Sequence, residues 1–356
     1  MTEQDTSGSD WDQFVSNVQT SWNDFEWSEF IETWEPWKGW WAIPFYFGCY
    51  VFFWWILRTL QICKRSCCGT KCSTARYGED SWAVVTGATD GIGKAAAFHL
   101  AKLGFNIVLI SRTLSKLEAT AKEIEETTEE LGKKVETKIV SFDFSKSYSA
   151  EEYQTLYDEH LADLDISILI NNVGMMAMGD FMEVDDQCVH NMITANCYSV
   201  VFMSQQIIKS FARRYEERGQ RSLICNTSAM MSVSPVRSVA TYPATKIFGD
   251  YITWGLAAEL KKYKTDVCAW RAAHVNTKLI DGEDDVGCFG ASPEKYVADA
   301  FSKCTSGIHS AYLPHEIAHM IMTNLKDLFG YAAPMWFFGK MVDSRKHVET
   351  YKNSVR

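Results

Sequence analysis

The chain has 356 residues and a formal net charge of −10 at pH 7, and 47% of its residues are hydrophobic and 22% charged. This composition excludes a globally disordered protein, and a net-negative chain without a large basic cluster is a poor candidate for binding nucleic acid. Its 11 cysteines, scattered through core-like stretches, indicate reduced thiols rather than a disulfide framework.

Residues 1–37 form an acidic tail. They contain nine Asp or Glu and no Lys or Arg, which excludes a transit peptide and a signal peptide with a basic n-region. Trp11, Phe14, Val18, Trp22 and Phe25 recur at spacings of three and four, the period of one helical face. Helices that lie on membranes usually have a basic polar face, so a disordered or partner-binding tail fits the pattern equally well.

An uncharged stretch of 18 residues, Trp40 to Leu57, follows the tail. A helix needs about 20 apolar residues to cross a bilayer core, and tryptophan pairs at both ends are typical of membrane interfaces. We therefore expect a transmembrane helix over 38–60 rather than a buried core helix. Lys38 is the one basic residue before this stretch, whereas five follow it: Arg58, Lys64, Arg65, Lys71 and Arg76. This asymmetry predicts that the C-terminal side faces the cytoplasm.

The basic linker 61–77 carries four cysteines, Cys63, Cys67, Cys68 and Cys72. Their spacing lacks the paired C-x-x-C knuckles of a zinc site. Because cysteines next to a membrane span are commonly palmitoylated, we expect palmitoylation or no role.

From Trp82 onward, strand-like and helix-like stretches alternate. The strand-like runs are 82–85, 106–110, 135–141, 166–170, 223–225 and 267–270, and helical stretches such as 94–103 and 114–131 lie between them. This order predicts an α/β fold, a Rossmann-type doubly wound parallel sheet over 78–290. After the acidic turn 281–285 we expect a helical C-terminal extension, 291–356.

A glycine-rich turn follows the first strand, with the candidate cofactor-binding residues Thr86, Gly87, Asp90, Gly91, Ile92 and Gly93. Glycines at these positions let the backbone turn tightly and present amide groups to a pyrophosphate at a helix N-terminus. The strand-turn-helix context that such a motif requires is present.

Three motifs in order resemble the short-chain dehydrogenase/reductase family: G-x3-G-x-G, Asn171-Asn172-Val173-Gly174, and Tyr242-x3-Lys246. The resemblance covers about Tyr77 to Leu279. It is closer to the membrane-bound branch of 17β-hydroxysteroid dehydrogenases types 3 and 12 and the very-long-chain 3-oxoacyl-CoA reductases. That branch includes hydroxysteroid dehydrogenase-like members that have lost a catalytic residue.

The end of the second strand indicates the cofactor. An NAD enzyme usually has an acidic residue there, whereas this chain has Ser111 and Arg112, whose guanidinium suits a 2′-phosphate. We therefore expect NADPH and the reductive direction; the alternative is a solvated arginine at a helix start. The resemblance further implies that Asp143 contacts the adenine, Asn171 the ribose region and Thr277 the nicotinamide carboxamide.

The resemblance implies that Tyr242 donates a proton to the substrate carbonyl. A phenol with a pKa near 10 is a poor catalyst at pH 7, so a nearby ammonium must favour its ionised form. Lys246 lies four residues on, on the same helical face, and in the family it also binds the ribose. Asn196 matches the family asparagine that holds the lysine's water relay.

The family's catalytic serine stands thirteen residues before the tyrosine, where this chain has Ala229. Ser228 is one residue away, and on an extended strand it points to the opposite face, so it can substitute only if the strand end twists. Ser232 and a water molecule are the other substitutes. A second departure is Arg271-Ala272-Ala273-His274, where relatives have Pro-Gly or Pro-Tyr.

His315-Glu316-Ile317-Ala318-His319 matches H-E-x-x-H in form. The motif falls in the C-terminal extension, where relatives hold no zinc, so we expect no metal.

Two hypotheses follow. The first is a membrane-anchored, NADPH-dependent reductase of a lipophilic ketone, either a 3-oxoacyl-CoA or a 17-ketosteroid. The second is a catalytically impaired NADP(H)-binding relative that acts as a membrane scaffold, with homo-oligomers or a membrane-complex partner engaged through the tail. Relatives imply the endoplasmic reticulum membrane with the catalytic domain in the cytoplasm. The C-terminus 352–356 lacks a dilysine signal, so a mitochondrial membrane is the alternative.

Overall fold

The computed structural model describes residue 39 and residues 42–277, 290–304 and 307–343. The acidic tail 1–37, the acidic turn 281–285 and the C-terminus 352–356 lie outside the described residues, as do the side chains of Cys67 and Cys68. The chain divides into two compact units, Met1–Gln61 and Ile62–Arg356.

Helix α1, Ala42–Cys68, begins in the first unit. Among the described residues, one helical segment is long and apolar enough to cross a membrane, and this segment is Ala42–Arg65 of α1. Large apolar side chains along it, such as Phe47, Phe52 and Phe53, are exposed. By length and composition this helix is a candidate for the predicted span.

The second unit is built on a seven-stranded sheet in which every neighbouring pair of strands is parallel. The strands are β1 (Trp82–Thr86), β2 (Asn106–Ser111), β3 (Thr137–Ser141), β4 (Ile166–Asn171), β5 (Ser222–Ala229), β6 (Thr265–Ala272) and β7 (Gly307–His309). Their order in the sheet is β3-β2-β1-β4-β5-β6-β7.

Helices follow the strands, as the sequence predicts. They are α2 (Thr74–Tyr77), α3 (Gly91–Leu103), α4 (Leu114–Glu130), α5 (Ala150–His160), α6 (Asp186–Ile193), α7 (Ser199–Arg218), α8 (Thr241–Glu259), α9 (Pro293–Phe301), α10 (Leu313–Phe329) and α11 (Ala332–Asp343). A π-helical turn, Thr194–Tyr198, joins α6 to α7, and short 3-10 turns, Met230–Val233 and Leu260–Tyr263, follow β5 and α8.

The sheet is buried on both faces, which is why its strands are runs of Val, Ile and Leu rather than alternating patterns. One core contains side chains of α3, α4 and α9, and includes Leu100, Leu117 and Phe301. The other contains side chains of α5 and α7, and includes Tyr153 and Phe211. The predicted doubly wound fold is confirmed.

The topological switch point lies between β1 and β4, which pair with each other while β1 also pairs with β2. In open parallel sheets of this kind, ligands bind at the carboxyl ends of the strands next to such a point. The glycine turn follows β1 and the Asn-Asn motif follows β4, so both motifs border the same crevice.

From residue 62 onward the linker belongs to the second unit, and two of its side chains are buried there. Tyr77 is buried, and its hydroxyl donates to Asp266 Oδ2 over 2.9 Å. Cys72 is also buried, and its contact with Cys304 together with burial raises the pKa of its thiol. Cys63 is exposed, so of these two cysteines it is the one accessible to acylation.

Candidate active site

The glycine turn has the conformation that a phosphate-binding turn requires. Gly87 and Gly91 have φ angles of +64° and +51°, which favour glycine. A Cβ at Gly93 would lie 2.2 Å from the carbonyl oxygen of Gly87, and one at Gly91 would lie 2.8 Å from Cγ2 of Thr277. Asp90 caps α3 by accepting from the amide of Gly91 at 2.8 Å. The turn therefore fits a pyrophosphate at the N-terminus of α3.

Thr86 is the last residue of β1 and directly precedes the glycine turn. Its side chain is buried, and its hydroxyl accepts from the amides of Asn172 and Val173 at 2.9 and 3.1 Å and lies 3.3 Å from the carbonyl of Ile170. Thr86 thus joins β1 to the loop after β4, and its contact with a cofactor stays a prediction. Ile92 is partly buried and packs against the core.

The side chain of Asn171 is also turned into the protein. It is buried, and its amide donates to Ser204 Oγ and Asn226 Oδ1 at 3.1 and 2.9 Å. The amide nitrogen of Asn171 is thus used inside the sheet, and a contact of this residue with the ribose region stays a prediction. Asn171 fixes the carboxyl end of β4.

Asn172, which the sequence analysis quotes only as part of a motif, holds the glycine turn. Its side-chain nitrogen lies 3.2 Å from the carbonyl of Thr86 and 3.3 Å from that of Gly87, and its oxygen accepts from Thr227 at 3.3 Å. The sequence did contain a signal for this role of Asn172, because the motif repeats Asn. Two adjacent side-chain amides at the end of a strand can bond to the neighbouring strands on both sides.

Arg112 and Asp143 lie at the carboxyl ends of β2 and β3. Arg112 is exposed, and its carbonyl accepts from Ser141 Oγ at 3.2 Å. The Asp143 carboxylate accepts from the amide and hydroxyl of Ser145 at 3.1 and 2.7 Å, with Lys146 at 3.9 Å. Arg112 directly follows β2, the neighbour of β1, and Asp143 follows β3, the neighbour of β2.

Tyr242, Lys246 and Asn196 come together at the carboxyl end of β5. The ammonium nitrogen of Lys246 donates to the carbonyl of Thr227 at 2.9 Å and lies 5.8 Å from the centre of the Tyr242 ring. A Cβ at Gly174 would lie 3.1 Å from this nitrogen and 3.4 Å from Asn196 Oδ1. The Asn-Asn-Val-Gly loop therefore runs directly past the candidate catalytic groups.

The π-helical turn Thr194–Tyr198 positions Asn196, and such turns often mark functional sites. Asn196 Oδ1 accepts from the amide of Met175 at 2.7 Å. Its Nδ2 lies 2.9 Å from the carbonyl of Met175 and 2.8 Å from Thr245 Oγ1. Asn196 thus joins the loop after β4 to α8, next to Lys246.

Burial changes the acidity of Lys246. It lowers the pKa of the ammonium from 10.5 to about 8, while the charges of Asp250 and Cys197 act in the opposite direction. A buried lysine with such a pKa is typical of a functional site.

The strand that carries Ala229 and Ser228 stays extended. Ala229 has φ −135° and ψ 151° and belongs to a buried cluster with Tyr242. By strand alternation Ser228 shares the opposite face with Ile224 and Asn226, and its buried hydroxyl has no hydrogen-bond partner among the described residues. The twist that would let Ser228 replace the family serine is absent from the described strand.

The other candidate serine, Ser232, belongs to a buried polar network. It donates to Asp250 Oδ2 at 2.7 Å, and Arg271 Nε donates to the same oxygen at 2.9 Å. Arg271 Nη1 lies 2.6 Å from His319 Nε2, which accepts, because arginine only donates. Asp250 lies four residues after Lys246 on the same helix. This spacing could have identified Asp250 from the sequence as a neighbour of Lys246.

His315 is used structurally as well. It is buried, and its Nδ1 accepts from the amide of Ala273 at 3.3 Å. The two histidines of the H-E-x-x-H sequence therefore bond to β6 and the loop after it.

An apolar wall borders Tyr242. Met176, Ala177, Met192 and Ala229 are buried with it, and further methionines pack against them. A neighbouring cleft is lined by residues that include Phe181, Val184 and Val239. Flexible methionines adapt to irregular apolar ligands, so this wall suits a lipophilic substrate.

Comparisons with known proteins agree with this geometry. A family model described as short chain dehydrogenase matches residues 81–285. The 17-beta-hydroxysteroid dehydrogenase type 3 of Homo sapiens is 44% identical over 260 residues, which cover 72% of this chain and 76% of the relative. The very-long-chain 3-oxoacyl-CoA reductase-B of Danio rerio is 36% identical over 251 residues, covering 68% and 75%.

Among solved structures, a short-chain dehydrogenase from Sphingobium yanoikuyae in complex with NADPH has the same fold. Its TM-score is 0.54 at 24% identity, over 64% of this chain and 86% of that one. Because the family model spans more than half of the sequence and the relatives match over about three quarters of their length, the chain belongs to the short-chain dehydrogenase/reductase family of nicotinamide-dependent oxidoreductases.

Proposed function

We propose that this protein is a membrane-anchored reductase that uses NADPH to reduce a carbonyl group on a lipophilic substrate. The observation that carries the proposal is the position of Lys246, whose buried ammonium donates to the Thr227 carbonyl at 2.9 Å and lies 5.8 Å from the centre of the Tyr242 ring. This pair stands at the carboxyl end of β5, beside the loop that holds the glycine turn.

In the proposed reaction, side chains of this protein transfer the proton. When bound, the nicotinamide cofactor supplies a hydride to the carbonyl carbon. Tyr242 donates its phenolic proton to the carbonyl oxygen, so that one hydride and one proton convert C=O into CH–OH. The Lys246 ammonium stabilises the phenolate left behind. Asn196 bonds to both α8 and the loop after β4, and so holds them together next to Lys246.

Cofactor binding is assigned to the residues around the crevice. The turn with Gly87, Gly91 and Gly93 would hold the pyrophosphate, and Thr277 lies against that turn. Arg112, exposed at the end of β2 where an NAD enzyme would have an acid, would bind the 2′-phosphate.

The substrate proposal rests on the apolar wall and on the names of the relatives. A 17-beta-hydroxysteroid dehydrogenase and a very-long-chain 3-oxoacyl-CoA reductase both take their names from lipophilic ketones or alcohols. We assign this chain the same class, a 17-ketosteroid or a 3-oxoacyl-CoA. The candidate span α1 would hold the domain at the membrane that dissolves such substrates, at the endoplasmic reticulum with the domain in the cytoplasm, or at a mitochondrial membrane.

One observation favours a second candidate function. Ala229 leaves the site without the family's carbonyl-binding hydroxyl, and the structure commits Ser232 to Asp250. Losing one such donor costs about 10²–10³ in turnover. A protein that binds NADP(H) without turnover and serves as a membrane scaffold would tolerate this loss.

Oxidation of NADPH by the full chain in lipid nanodiscs tests the proposal. The substrate panel contains 3-oxoacyl-CoA thioesters and 17-ketosteroids. Tyr242→Phe should lower turnover by about 10²–10⁴-fold, while Tyr251→Phe, an exposed tyrosine on the same helix, should leave it unchanged. Tight NADPH binding with no turnover on any substrate would favour the scaffold.

A further inference from the structure

The ammonium of Lys246 is buried, and its hydrogen bond goes to a neutral group. It donates to the carbonyl oxygen of Thr227 at 2.9 Å. A charge that leaves water is costly unless an opposite charge lies nearby. To stay charged, Lys246 therefore requires a carboxylate in its neighbourhood.

Asp250 meets this requirement. It lies four residues after Lys246 on α8, so the two side chains share one face of the helix, and Asp250 is fully buried. Burial lowers the pKa of Lys246, whereas the charge of Asp250 raises it. The carboxylate thus favours the charged form of Lys246.

Hydrogen bonds to one of its oxygens fix the Asp250 carboxylate. Oδ2 accepts from Ser232 Oγ at 2.7 Å and from Arg271 Nε at 2.9 Å, and Arg271 Nη2 also lies 2.9 Å away. Arg271 in turn donates to His319 Nε2 of α10 at 2.6 Å. The second carboxylate oxygen, Oδ1, is buried and has no hydrogen-bond partner among the described residues. Asp250 is therefore held in place through one oxygen, while the other adds its negative charge to the buried surroundings of α8.

Among the described residues, the other titratable groups on elements packed against α8 do not supply this negative charge. Burial raises the pKa of Cys197, in the π-helical turn, to about 11, so this thiol is neutral at pH 7. Burial lowers the pKa of His309, in β7, to about 3, so it is neutral as well. Asp266 lies at the start of β6, away from the carboxyl end, and pairs there with two arginines. The remaining groups, on α6 and on the turn after α8, are exposed or half-buried: Asp186, Cys188, His190, Lys261, Lys262 and Tyr263.

We propose that Asp250 is a positioning residue of the candidate active site, whose fixed negative charge keeps Lys246 in the ammonium form that stabilises the phenolate of Tyr242. This role rests on the proposed function, because it concerns the reaction assigned to that pair. Asp250 acts through Lys246 and does not itself touch the substrate.

The pH dependence of kcat/KM tests the role of Asp250, with the full chain in lipid nanodiscs and NADPH as the reductant. In the wild type, kcat/KM should fall by half at a pH of about 8. Asp250→Asn should lower this midpoint by about 1–2 pH units, the effect of one charge about 6 Å away in a protein. Asp327→Asn, which removes a partly exposed carboxylate and so changes the net charge equally, should leave the midpoint unchanged.

Two further variants separate the charge from the packing. Arg271→Met breaks the same buried pair but keeps the carboxylate, so its midpoint should not lie below that of the wild type. Asp250→Leu with Arg271→Met removes both charges, and its midpoint should again lie below 8. The double variant gives the answer where Asp250→Asn does not fold, because it leaves neither member of the pair without its partner.

Trace labelling of Lys246 with acetic anhydride over a range of pH, followed by mass spectrometry, measures the same titration without turnover. Equal midpoints in the wild type, Asp250→Asn and the double variant would overturn the proposal and leave Asp250 a structural residue. If the wild type reduces no substrate but its labelling midpoint falls in Asp250→Asn, the effect of Asp250 on Lys246 is upheld and the reductase alone is contradicted.

Discussion

The hydroxyl of Ser232 lies 2.7 Å from Asp250 Oδ2 and donates to it. Both side chains are buried, and Arg271 donates to the same oxygen. Moving Ser232 to a substrate carbonyl would leave a buried carboxylate with one partner fewer, which is costly. Ser228 faces away from Ala229 on an extended strand. Neither serine replaces the hydroxyl that the family places beside the tyrosine.

We therefore expect Ala229→Ser to increase turnover by about 10²–10³-fold, the usual value of one donor to a developing oxyanion. Ala229 is buried with Tyr242, and serine adds a single oxygen there. The measurement is kcat for NADPH-dependent reduction of a 3-oxoacyl-CoA or a 17-ketosteroid.

Ser228→Ala is the matched control, since it removes a hydroxyl from the adjacent residue. Its kcat should equal that of the wild type. If Ser228→Ala instead abolishes turnover and Ala229→Ser has no effect, Ser228 is the carbonyl-binding residue.

The rate should depend on pH through Lys246. Burial lowers the pKa of its ammonium to about 8, so the positive charge is present below that pH and is lost above it. Because this charge stabilises the Tyr242 phenolate, kcat/KM should fall as the pH rises through about 8. An unchanged rate up to pH ~10, the range of an ordinary lysine, would mean that the charge on Lys246 is not required. The variant Tyr251→Phe, which changes an exposed residue, should keep the wild-type dependence of kcat/KM on pH.

Arg112→Ala should distinguish the two nicotinamide cofactors. A hydrogen bond to a charged group contributes about 1.5–3 kcal/mol, so the Kd for NADPH should rise by about 10- to 150-fold while that for NADH stays constant. Fluorescence titration of each cofactor measures both values. Arg213→Ala, which removes another exposed arginine from α7, should change neither. Equal weakening of NADPH and NADH would show that Arg112 does not contact the 2′-phosphate.

The order of the elements was predictable because apolar runs of strand length alternate with helical stretches. The strands themselves are longer than those runs. β5 extends over Ser222–Ala229, while its apolar run is 223–225, since polar residues at a strand end still complete backbone hydrogen bonds. The strand β7 was not predicted, because a strand of three residues is too short to show a recognisable hydrophobic pattern.

The direction of individual side chains was less predictable than the motifs. Thr86 and Asn171 stand in the expected motifs, yet both bond within the protein, since a motif fixes the order of residues and not the partners of each side chain. The contact between Arg271 and His319 joins residues 48 positions apart. Such a pairing depends on how α10 packs on β6, which local periodicity does not report.

The buried pair of Asp250 and Arg271 should matter for stability. Removing one partner from a buried ion pair costs about 3–5 kcal/mol, because the other charge stays buried without compensation. We expect Asp250→Asn to lower the free energy of unfolding by this amount, measured by urea denaturation followed by circular dichroism. Asp327→Asn breaks a partly exposed pair with Lys326, 3.7 Å long, and should cost less than about 1 kcal/mol.

A double variant separates charge from packing. Asp250→Leu with Arg271→Met removes both charges and keeps most of the apolar volume, so it should be more stable than Asp250→Asn alone. His319 then loses a donor, whereas Ser232 loses its acceptor, and both are small costs beside an unpaired charge. If Asp250→Asn unfolds no more easily than Asp327→Asn, the network does not stabilise the packing of α8 against β6.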